Sequence, residues 1–234
     1  MLRSLVAFSL SYRLFVLALA LLVAVTSITS VGFFADRIRQ TILRDAHQLL
    51  GADVLLDADH EWSREISQEI TRRGLAFAEA MVFVSMARGS EAVQLSGVKA
   101  VSEGYPLRGR MRIAPGLNQP DEATTRVPEP GTVWIEERLA VALARKVGEA
   151  LQLGDATLRI GAILTLEPDR NASFFNIAPR LMMHRDDVAA TGLVQTGSRV
   201  WYQLLAAGPR EAVAAFEAWV TPQLARGESL QSLA

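Results

Sequence analysis

The sequence predicts an α+β fold in which an N-terminal transmembrane helix and a stalk precede a mixed α/β core domain. One uncharged run of 22 residues lies near the N-terminus, and short strands and amphipathic helices follow it in irregular order. One later strand alternates apolar and polar side chains, which is typical of a sheet with one solvent-facing side. Hydrophobic residues make up 50% of the 234 residues, so a disordered chain is excluded.

The transmembrane helix is predicted over residues 14–35, between Arg13 and Asp36. At about 1.5 Å per residue such a helix spans roughly 33 Å, which is enough for a bilayer core of about 30 Å. The residues that we expect to anchor it in the membrane are Leu14, Leu17, Leu21, Val25 and Phe33.

A cleaved signal peptide and a buried core helix are the alternatives for this segment. Leu14–Val25 followed by Thr26-Ser27 fits the apolar region and small residues of a signal peptide. A retained anchor would instead continue as a helix, and residues 35–50 keep the helical spacing of apolar side chains. The sequence therefore favours the retained anchor.

The basic residues near the span predict its orientation. Arg3 and Arg13 favour a cytoplasmic N-terminus for residues 1–13, whereas Arg37, Arg39 and Arg44 favour the opposite orientation. Long domains cross the membrane largely regardless of their charge, which weakens that second effect. We therefore expect the remaining domain to lie outside the cytoplasm.

The stalk is predicted over residues 36–50, and Gly51 is a suitable residue to end it. Its apolar side chains form a narrow stripe of Ile38, Ile42 and Leu49. A stripe of this width suits one neighbouring helix better than a core. The segment is interpreted either as a spacer or as a rigid lever paired with another stalk.

The core domain, residues 51–234, begins with a predicted β-α-β-β unit. The apolar run at 52–58 predicts a strand. A helix follows over 61–73, where Trp62, Ile66 and Ile70 are spaced four apart before Gly74. Residues 75–87 and 92–101 predict two strands, with Gly89-Ser90 as their hairpin turn.

The second half of the core domain is predicted to contain a loop, five strands and two helices. A proline-rich loop covers 114–131. Gly154-Asp155 marks a second hairpin, and Ala156, Leu158, Ile160, Ala162, Leu164 and Leu166 are expected on one face of its second strand. The strands are predicted at 132–137, 149–153, 156–166, 180–184 and 199–207, and the helices at 138–146 and 209–224. On the last helix Ala212, Phe216, Trp219 and Val220 form one apolar face.

The composition and motifs exclude several classes of protein. A net charge of −1 argues against a nucleic-acid binder, and the absence of cysteine excludes thiol enzymes and cysteine-based zinc sites. No P-loop, dinucleotide-binding, nucleophile-elbow or HExxH motif occurs. We therefore predict no catalytic, cofactor-binding or metal-binding residue, and a protein that is not an enzyme.

Three polar or aromatic clusters leave alternatives open. The run Asp57–Glu61 contains His60, and His184 precedes two aspartates, so each could suggest a cation site; polar turns are the favoured interpretation. Phe174 and Phe175 lie in a predicted loop. They are interpreted as a core plug or, alternatively, as an exposed contact for a partner or lipid.

Long ordered blocks of the chain resemble the FtsX/MacB-type ABC transporter permeases, in particular their YbbP-like branch. These blocks are GADVLLDAD at 51–59, LSGVKAVSEGYPLRG at 95–109, VGEALQLGDATLRIGAILTLEPD at 147–169 and NIAPRLMMHRDDVAATGLVQTGSRVWYQ at 176–203. The resemblance implies a first transmembrane helix at 14–35, a stalk at 36–50 and a MacB-like periplasmic core domain from residue 51. It also implies a location in the bacterial inner membrane.

The resemblance further implies a mechanical role. A separate ATPase subunit, which binds ATP, would drive two permease copies whose stalks move the periplasmic domains. The branch is linked to export of lipid-like or hydrophobic compounds and to a periplasmic lipid-processing enzyme. Because the FtsX-like membrane core is missing after Ala234, the chain is expected to be a fragment or a truncated reading frame. A singly anchored binding or sensor module, and an exported hydrolase with an unrecognised site, are the competing hypotheses.

Overall fold

The computed structural model describes residues 51–170 and 178–232 without interruption. It also describes residues 12, 15, 17, 19, 21–27, 29–30, 32–34 and 37. By its internal contacts the chain divides into two units, Met1–Asp45 and Ala46–Ala234.

In the first unit, the described residues are helical and exposed to solvent. The hydroxyl groups of Thr26 and Thr29 each donate a hydrogen bond of 2.7 Å to the backbone carbonyl four residues earlier, as helical geometry allows. Within the described part of the chain, no helix reaches the length and hydropathy that a bilayer crossing needs.

The described part of the second unit contains eleven strands and three α-helices. The strands are β1 (Val54–Ala58), β2 (Ala76–Arg88), β3 (Val93–Val101), β4 (Met111–Ala114), β5 (Glu122–Thr124), β6 (Thr132–Glu136), β7 (Ala150–Leu153), β8 (Ala156–Leu166), β9 (Arg180–His184), β10 (Trp201–Ala207) and β11 (Ser229–Ser232). The helices are α1 (Arg64–Arg72), α2 (Glu137–Ala142) and α3 (Arg210–Val220). Short 3₁₀ turns lie at Arg185–Asp187, Ala189–Thr191 and Thr221–Gln223.

Six of these strands close into a ring. β2 pairs with β3, β3 with β9, β9 with β6, β6 with β8, β8 with β7, and β7 again with β2. The β3–β9 and β6–β8 pairs are parallel, and the others in the ring are antiparallel. The interior holds an apolar cluster that includes Phe83, Val98, Ile135, Ile160 and Leu181, all buried. The ring therefore forms a small barrel whose centre is filled by side chains.

Three of the remaining strands extend the sheet beyond β2 in the order β10, β1 and β11, and the other two, β4 and β5, extend it beyond β8. Helices α1 and α3 cover one face of the extension beyond β2. Their fully buried residues Ile70, Phe216 and Val220 pack on Val54 and Leu56 of β1. Because side chains alternate along β1, Leu55 and Asp57 lie on the opposite face of the sheet.

That opposite face is covered by the segment after β3. Tyr105 and Met111 are fully buried there, in a cluster that includes Leu55, Trp134 and Met182. The barrel wall is therefore buried on both sides at this point.

The prediction that the alternate apolar side chains of β8 all lie on one face of the sheet is wrong. Ile160 opposes Val133 whereas Ala162 opposes Trp134, so the pairing skips Gly161. This bulge moves later side chains to the other face. Leu158 and Ile160 consequently lie inside the barrel, while Ala162 and Leu164 lie in the outer cluster and Leu166 is 48% exposed.

Other boundaries differ in smaller ways. The helix predicted at 138–146 ends at Ala142, because Ala144 adopts a left-handed conformation with φ of 51°. Strands β4 and β11 were not predicted, and β5 lies within the predicted loop. The β1-α1-β2-β3 unit and the Gly154-Asp155 turn are confirmed, whereas the β2–β3 hairpin turns at Ser90-Glu91, one residue later than predicted.

Candidate functional site

A buried ionic network lies on the outer face of the barrel. Lys99, in the middle of β3, is 2% exposed. Its Nζ atom donates a hydrogen bond of 2.5 Å to Asp169 Oδ2 and one of 3.0 Å to Tyr105 Oη. The Tyr105 hydroxyl in turn donates to Asp169 Oδ1 at 2.6 Å. The three side chains therefore form a closed hydrogen-bonded triangle that is almost entirely buried.

Glu167 and Arg180 extend this network. Arg180 Nε donates to Glu167 Oε2 at 2.6 Å, and Glu167 Oε1 lies 3.2 Å from Lys99 Nζ. Burial would raise the pKa of Glu167, but the charges of Lys99 and Arg180 outweigh burial and lower that pKa. Burial together with the Asp169 charge raises the pKa of the Tyr105 hydroxyl well above its ordinary value. The network thus contains two cations, two carboxylates and a neutral phenol.

The topology explains how these residues meet. Lys99 alternates with Val98 and Ala100, which face the barrel interior. Arg180 begins β9 and pairs in register with Gly97 on the parallel strand β3. Parallel pairing therefore brings the two cations to the same outer face.

The two acids come from the segment that follows β8. Glu167 and Asp169 lie just after that strand ends. The next residue, Arg170, forms an ion pair of 2.7 Å with Glu136 at the end of β6. This ion pair and the contacts with Lys99 and Arg180 hold the segment against the sheet.

A cavity of about 550 Å³ lies beside the network. This volume is within the range of about 300–1,000 Å³ that is usual for small-molecule sites. Its lining residues come from strands β11, β1, β10, β2, β3 and β9 and from three loops: Leu55, Asp57, Ala58, Asp59, Val82, Lys99, Asp169, Arg180, Trp201, Gln203, Gly227, Ser229 and Gln231. The cavity is therefore apolar on some walls and charged on others.

Asp57 lies on the cavity wall, and its register partners on the neighbouring strands are Gln203 of β10 and Ser229 of β11. Gln203 Nε2 donates to Asp57 Oδ1 at 2.7 Å, and Gln231 Nε2 donates to Oδ2 at 3.3 Å. Burial raises the pKa of Asp57, while the hydrogen bond from Gln203 and the charge of Lys99 act in the opposite direction. The carboxyl is thus held by neutral amide donors in a half-buried position.

Four of the predicted anchor residues lie in the described part of the chain. Leu17, Leu21, Val25 and Phe33 are helical and exposed. The fifth, Leu14, lies outside the described residues, as do the predicted stalk contacts Ile38, Ile42 and Leu49 and the loop pair Phe174 and Phe175.

The two histidine clusters are polar turns. His60 Nδ1 lies 2.8 Å from Asp59 Oδ1, and its Nε2 lies 3.1 Å from Glu228 Oε1. His184 Nδ1 accepts a hydrogen bond from the Asp186 backbone at 3.3 Å. Among residues 51–170 and 178–232, no group of three or more ligating side chains has a geometry that could hold a metal ion.

The sequence reasoning missed the ionic network. Lys99 is the only charged residue in β3, and a lone lysine within an apolar strand is the signal that could have drawn attention to it. Glu167 and Asp169, two acids that come just after the apolar strand β8, are a comparable signal. Their common location depends on the β3–β9 and β6–β8 pairings, which the sequence pattern does not specify.

A family model and a curated relative both match this chain and indicate the same family. The sequence model of the MacB-like periplasmic core domain matches residues 14–223. The chain is 34% identical over 215 residues to an uncharacterised ABC transporter permease, YbbP, of Escherichia coli (strain K12). The match covers 92% of this chain and 26% of YbbP, so the chain spans about a quarter of the relative's length. The resemblance to the YbbP-like branch is thereby confirmed.

Among solved structures, the periplasmic region of MacB from Actinobacillus actinomycetemcomitans matches with a TM-score of 0.49 at 7% identity, covering 82% of this chain and 94% of that region. The extracellular domain of the noncanonic ABC-type transporter YknZ from Gram-positive bacteria also matches with a TM-score of 0.49, at 9% identity, covering 76% of this chain and all of that domain. From the family match over residues 14–223, the chain belongs to the MacB-like periplasmic core domain family.

Proposed function

We propose that this chain is the N-terminal part of an ABC transporter permease whose extracytoplasmic domain moves when a separate ATPase subunit hydrolyses ATP. The observation that carries the proposal is the 34% identity to the permease YbbP over 92% of the chain. In this role the chain itself catalyses no reaction and holds no cofactor, because ATP is bound by the other subunit.

The membrane arrangement follows from the apolar N-terminal run. Residues 14–35 would cross the bacterial inner membrane once, with residues 1–13 in the cytoplasm and residues 51–234 outside it. The 22 uncharged residues between Arg13 and Asp36 support this arrangement. The exposed, helical Leu21, Val25 and Phe33 are also suited to contact with lipid.

The partners and the substrate complete the proposal. Residues 36–50 would form a stalk that pairs with the stalk of a second permease copy. The exported compound would be lipid-like or hydrophobic, and a periplasmic lipid-processing enzyme would be a further partner. These statements rest on the resemblance to the YbbP-like branch.

Single-cysteine variants test the membrane arrangement, since the chain has no native cysteine. Intact spheroplasts are treated with a membrane-impermeant maleimide. We expect labelling of Glu211→Cys, whose side chain is exposed on α3, and labelling of Ser4→Cys only after permeabilisation. Labelling of both positions or of Ser4→Cys alone in intact cells would contradict the arrangement.

Affinity purification tests the transporter role. An N-terminal tag is added to the chain within its own chromosomal reading frame, so that any downstream membrane segments are present. A second, differently tagged copy is expressed in the same host, and the complexes are purified from solubilised membranes. We expect to recover an ABC-type ATPase together with the second copy, and vanadate-sensitive ATP hydrolysis in the complex. A tagged unrelated membrane protein is the control. Recovery of the second copy without any ATPase would count against the permease role.

A singly anchored binding module is the second candidate, and the cavity beside Lys99 and Asp169 is the observation that favours it. This function predicts that ligand binding to the cavity occurs in the absence of an ATPase. The affinity purification separates the two candidates, because only the permease role requires the ATPase.

A further inference from the structure

The cavity carries unbalanced negative charge. Lys99 and Arg180 are each in contact with a carboxylate of Glu167 or Asp169. Asp57 differs from those acids, because in the part of the chain that the structure describes no basic side chain lies within ion-pair distance of it. Asp59, at the exposed rim, lies 2.8 Å from His60 Nδ1, so the unbalanced charge is that of Asp57. Asp57 would therefore attract a positively charged guest in the cavity.

The hydrogen-bonding groups on the same wall favour a donor or a cation. Gln203 donates its Nε2 to Asp57, which directs its Oε1 atom away from that carboxylate. The Gln203 Oε1 atom is buried, and no described residue donates a hydrogen bond to it. A buried acceptor without a donor is unfavourable. A quaternary ammonium group has no N–H to donate, but its positive charge is attracted to the partial negative charge of this carbonyl oxygen and would lower that cost.

The apolar walls suit an organic cation rather than a metal ion. Trp201 and Val82 are opposite neighbours on β10 and β2, and Leu55 lies on the adjoining strand β1. Trp201 is 36% exposed and lines the cavity. An indole ring is the aromatic surface that attracts ammonium groups most strongly.

An apolar strip continues from the cavity along the β2–β3 hairpin. Val82, Val84 and Met86 share one face of β2, and Leu95 and Val93 lie opposite on β3. Val84, Met86, Val93 and Leu95 are each 44–49% exposed, which is unusual for adjacent apolar side chains. Because the strip begins at the cavity wall, a guest in the cavity could place a hydrocarbon chain on it.

We propose that the cavity binds an amphipathic organic cation. Its ammonium group lies between Asp57 and Trp201, and its hydrocarbon chain lies on the strip formed by Val84, Met86, Val93 and Leu95. This inference goes beyond the proposed transporter role, since it concerns binding to this chain alone. A quaternary ammonium group occurs both in free cations and in phospholipid headgroups, and both sources share this recognition chemistry.

Calorimetric titration of the full chain in dodecyl maltoside tests the inference. The probes are hexyltrimethylammonium, tetramethylammonium and hexanoate, and protein-free detergent is titrated as the blank. We expect hexyltrimethylammonium to bind at least about 10-fold more tightly than tetramethylammonium, because buried methylene groups add apolar contact. Hexanoate, which carries the opposite charge, should not bind. Absence of binding by either ammonium probe, or tighter binding of hexanoate, overturns the proposal.

Variants assign the binding to the named residues. Asp57→Asn should weaken both ammonium probes on the order of 10-fold, and Trp201→Leu should weaken both as well. Glu211→Gln removes one acidic charge from exposed α3 and should leave both affinities unchanged. The double variant Val84→Ser/Met86→Ser should weaken hexyltrimethylammonium and not tetramethylammonium. Unchanged affinities in both Asp57→Asn and Trp201→Leu, with folding verified by near-ultraviolet circular dichroism, overturn the assignment.

Competition identifies the source of the ammonium group. Dihexanoylphosphatidylcholine should displace hexyltrimethylammonium if the cavity accepts the headgroup of a phospholipid. If it does not displace the probe, the site takes free amphipathic cations; either result is compatible with the cation site. The membrane-labelling and ATPase-recovery experiments do not depend on Asp57, so failure here and failure of the transporter role are distinguishable.

Discussion

Lys99 and Asp169 form a buried ion pair with a distance of 2.5 Å between Nζ and Oδ2, although 70 residues separate them in the sequence. Both side chains are 3% exposed. Removal of two charges from water costs several kcal/mol per ion, and only close contact and additional hydrogen bonds offset that cost. Tyr105 supplies such hydrogen bonds to both partners. The pair therefore constrains how β3 and the segment after β8 pack together.

Lys99→Met should destabilise the folded domain by about 3–5 kcal/mol, because it leaves Asp169 and Glu167 buried with one cation fewer. The measurement is guanidinium unfolding of the chain in detergent, followed by tryptophan fluorescence. Lys146 is the only other lysine of the chain, and it is exposed. Lys146→Met is therefore the matched control, with an expected change within about 0.5 kcal/mol. Equal effects of the two variants would show that the ion pair is not coupled to folding.

The local elements around Lys99 were predictable from the sequence. The hairpin of β2 and β3 follows from two apolar runs around Gly89, and the backbone bond from Gly89 N to Ala92 O closes that turn. Helix α1 follows from the spacing of Ile66 and Ile70, both of which are buried. Such features depend on interactions within a few residues, which a sequence pattern records.

The barrel and the site were not predictable in the same way. Closure needs β7 to pair with β2 through only two residue pairs, Ala87 with Leu153 and Arg88 with Gln152. The bulge at Gly161 decides which β8 side chains face the interior, and its position depends on the pairing with β6. Contacts between distant segments, like that of Lys99 with Asp169, require this topology and leave no periodic signal in the chain.

Gly154→Ala should destabilise the domain by about 2–4 kcal/mol. Gly154 has a φ of 58°, and an added Cβ would overlap the backbone oxygen of Thr191. The substitution therefore adds a steric clash to the strain of a left-handed conformation. Thermal or guanidinium unfolding measures the change in the free energy of unfolding.

Gly74→Ala is the control for this substitution. Gly74 has a similar φ of 69°, but no atom lies within 4 Å of an added Cβ. Only the conformational strain remains there, so a loss of about 1 kcal/mol is expected. A loss at Gly154 no larger than that at Gly74 would argue against close packing of the β7–β8 turn on Thr191.

The His60 contacts should make stability depend on pH in the neutral range. Hydrogen bonds to Asp59 and to Glu228, together with their negative charges, outweigh burial and raise the pKa of His60 above 6.5. Because the folded state binds the proton more tightly, the stabilisation is fully present below about pH 6.5 and is lost as the pH rises through the raised pKa. His60→Gln should therefore reduce the free energy of unfolding more at pH 6 than at pH 8.5.

The size of this effect is limited by exposure. The His60 side chain is 49% exposed, so the difference between the two pH values should be below about 1 kcal/mol. NMR titration of the His60 ring provides an independent measurement of its pKa. A pKa at or below 6.5, or an equal effect of His60→Gln at both pH values, would rule out this contribution.

Stalk pairing should appear as site-specific disulfide formation between two copies of the chain. In the predicted helix over residues 36–50, Ile38, Ile42 and Leu49 would form an apolar stripe, so Ile42→Cys would place thiols of two parallel stalks close together. Gln40 is two residues from Ile42, which places it about 200° around a helix. Gln40→Cys is therefore the matched control. Oxidation of membranes with copper phenanthroline should produce a covalent dimer from Ile42→Cys and far less from Gln40→Cys, as resolved by non-reducing electrophoresis. Equal cross-linking at both positions would indicate random collision, and its absence at Ile42 in native membranes would favour the stalk as a spacer.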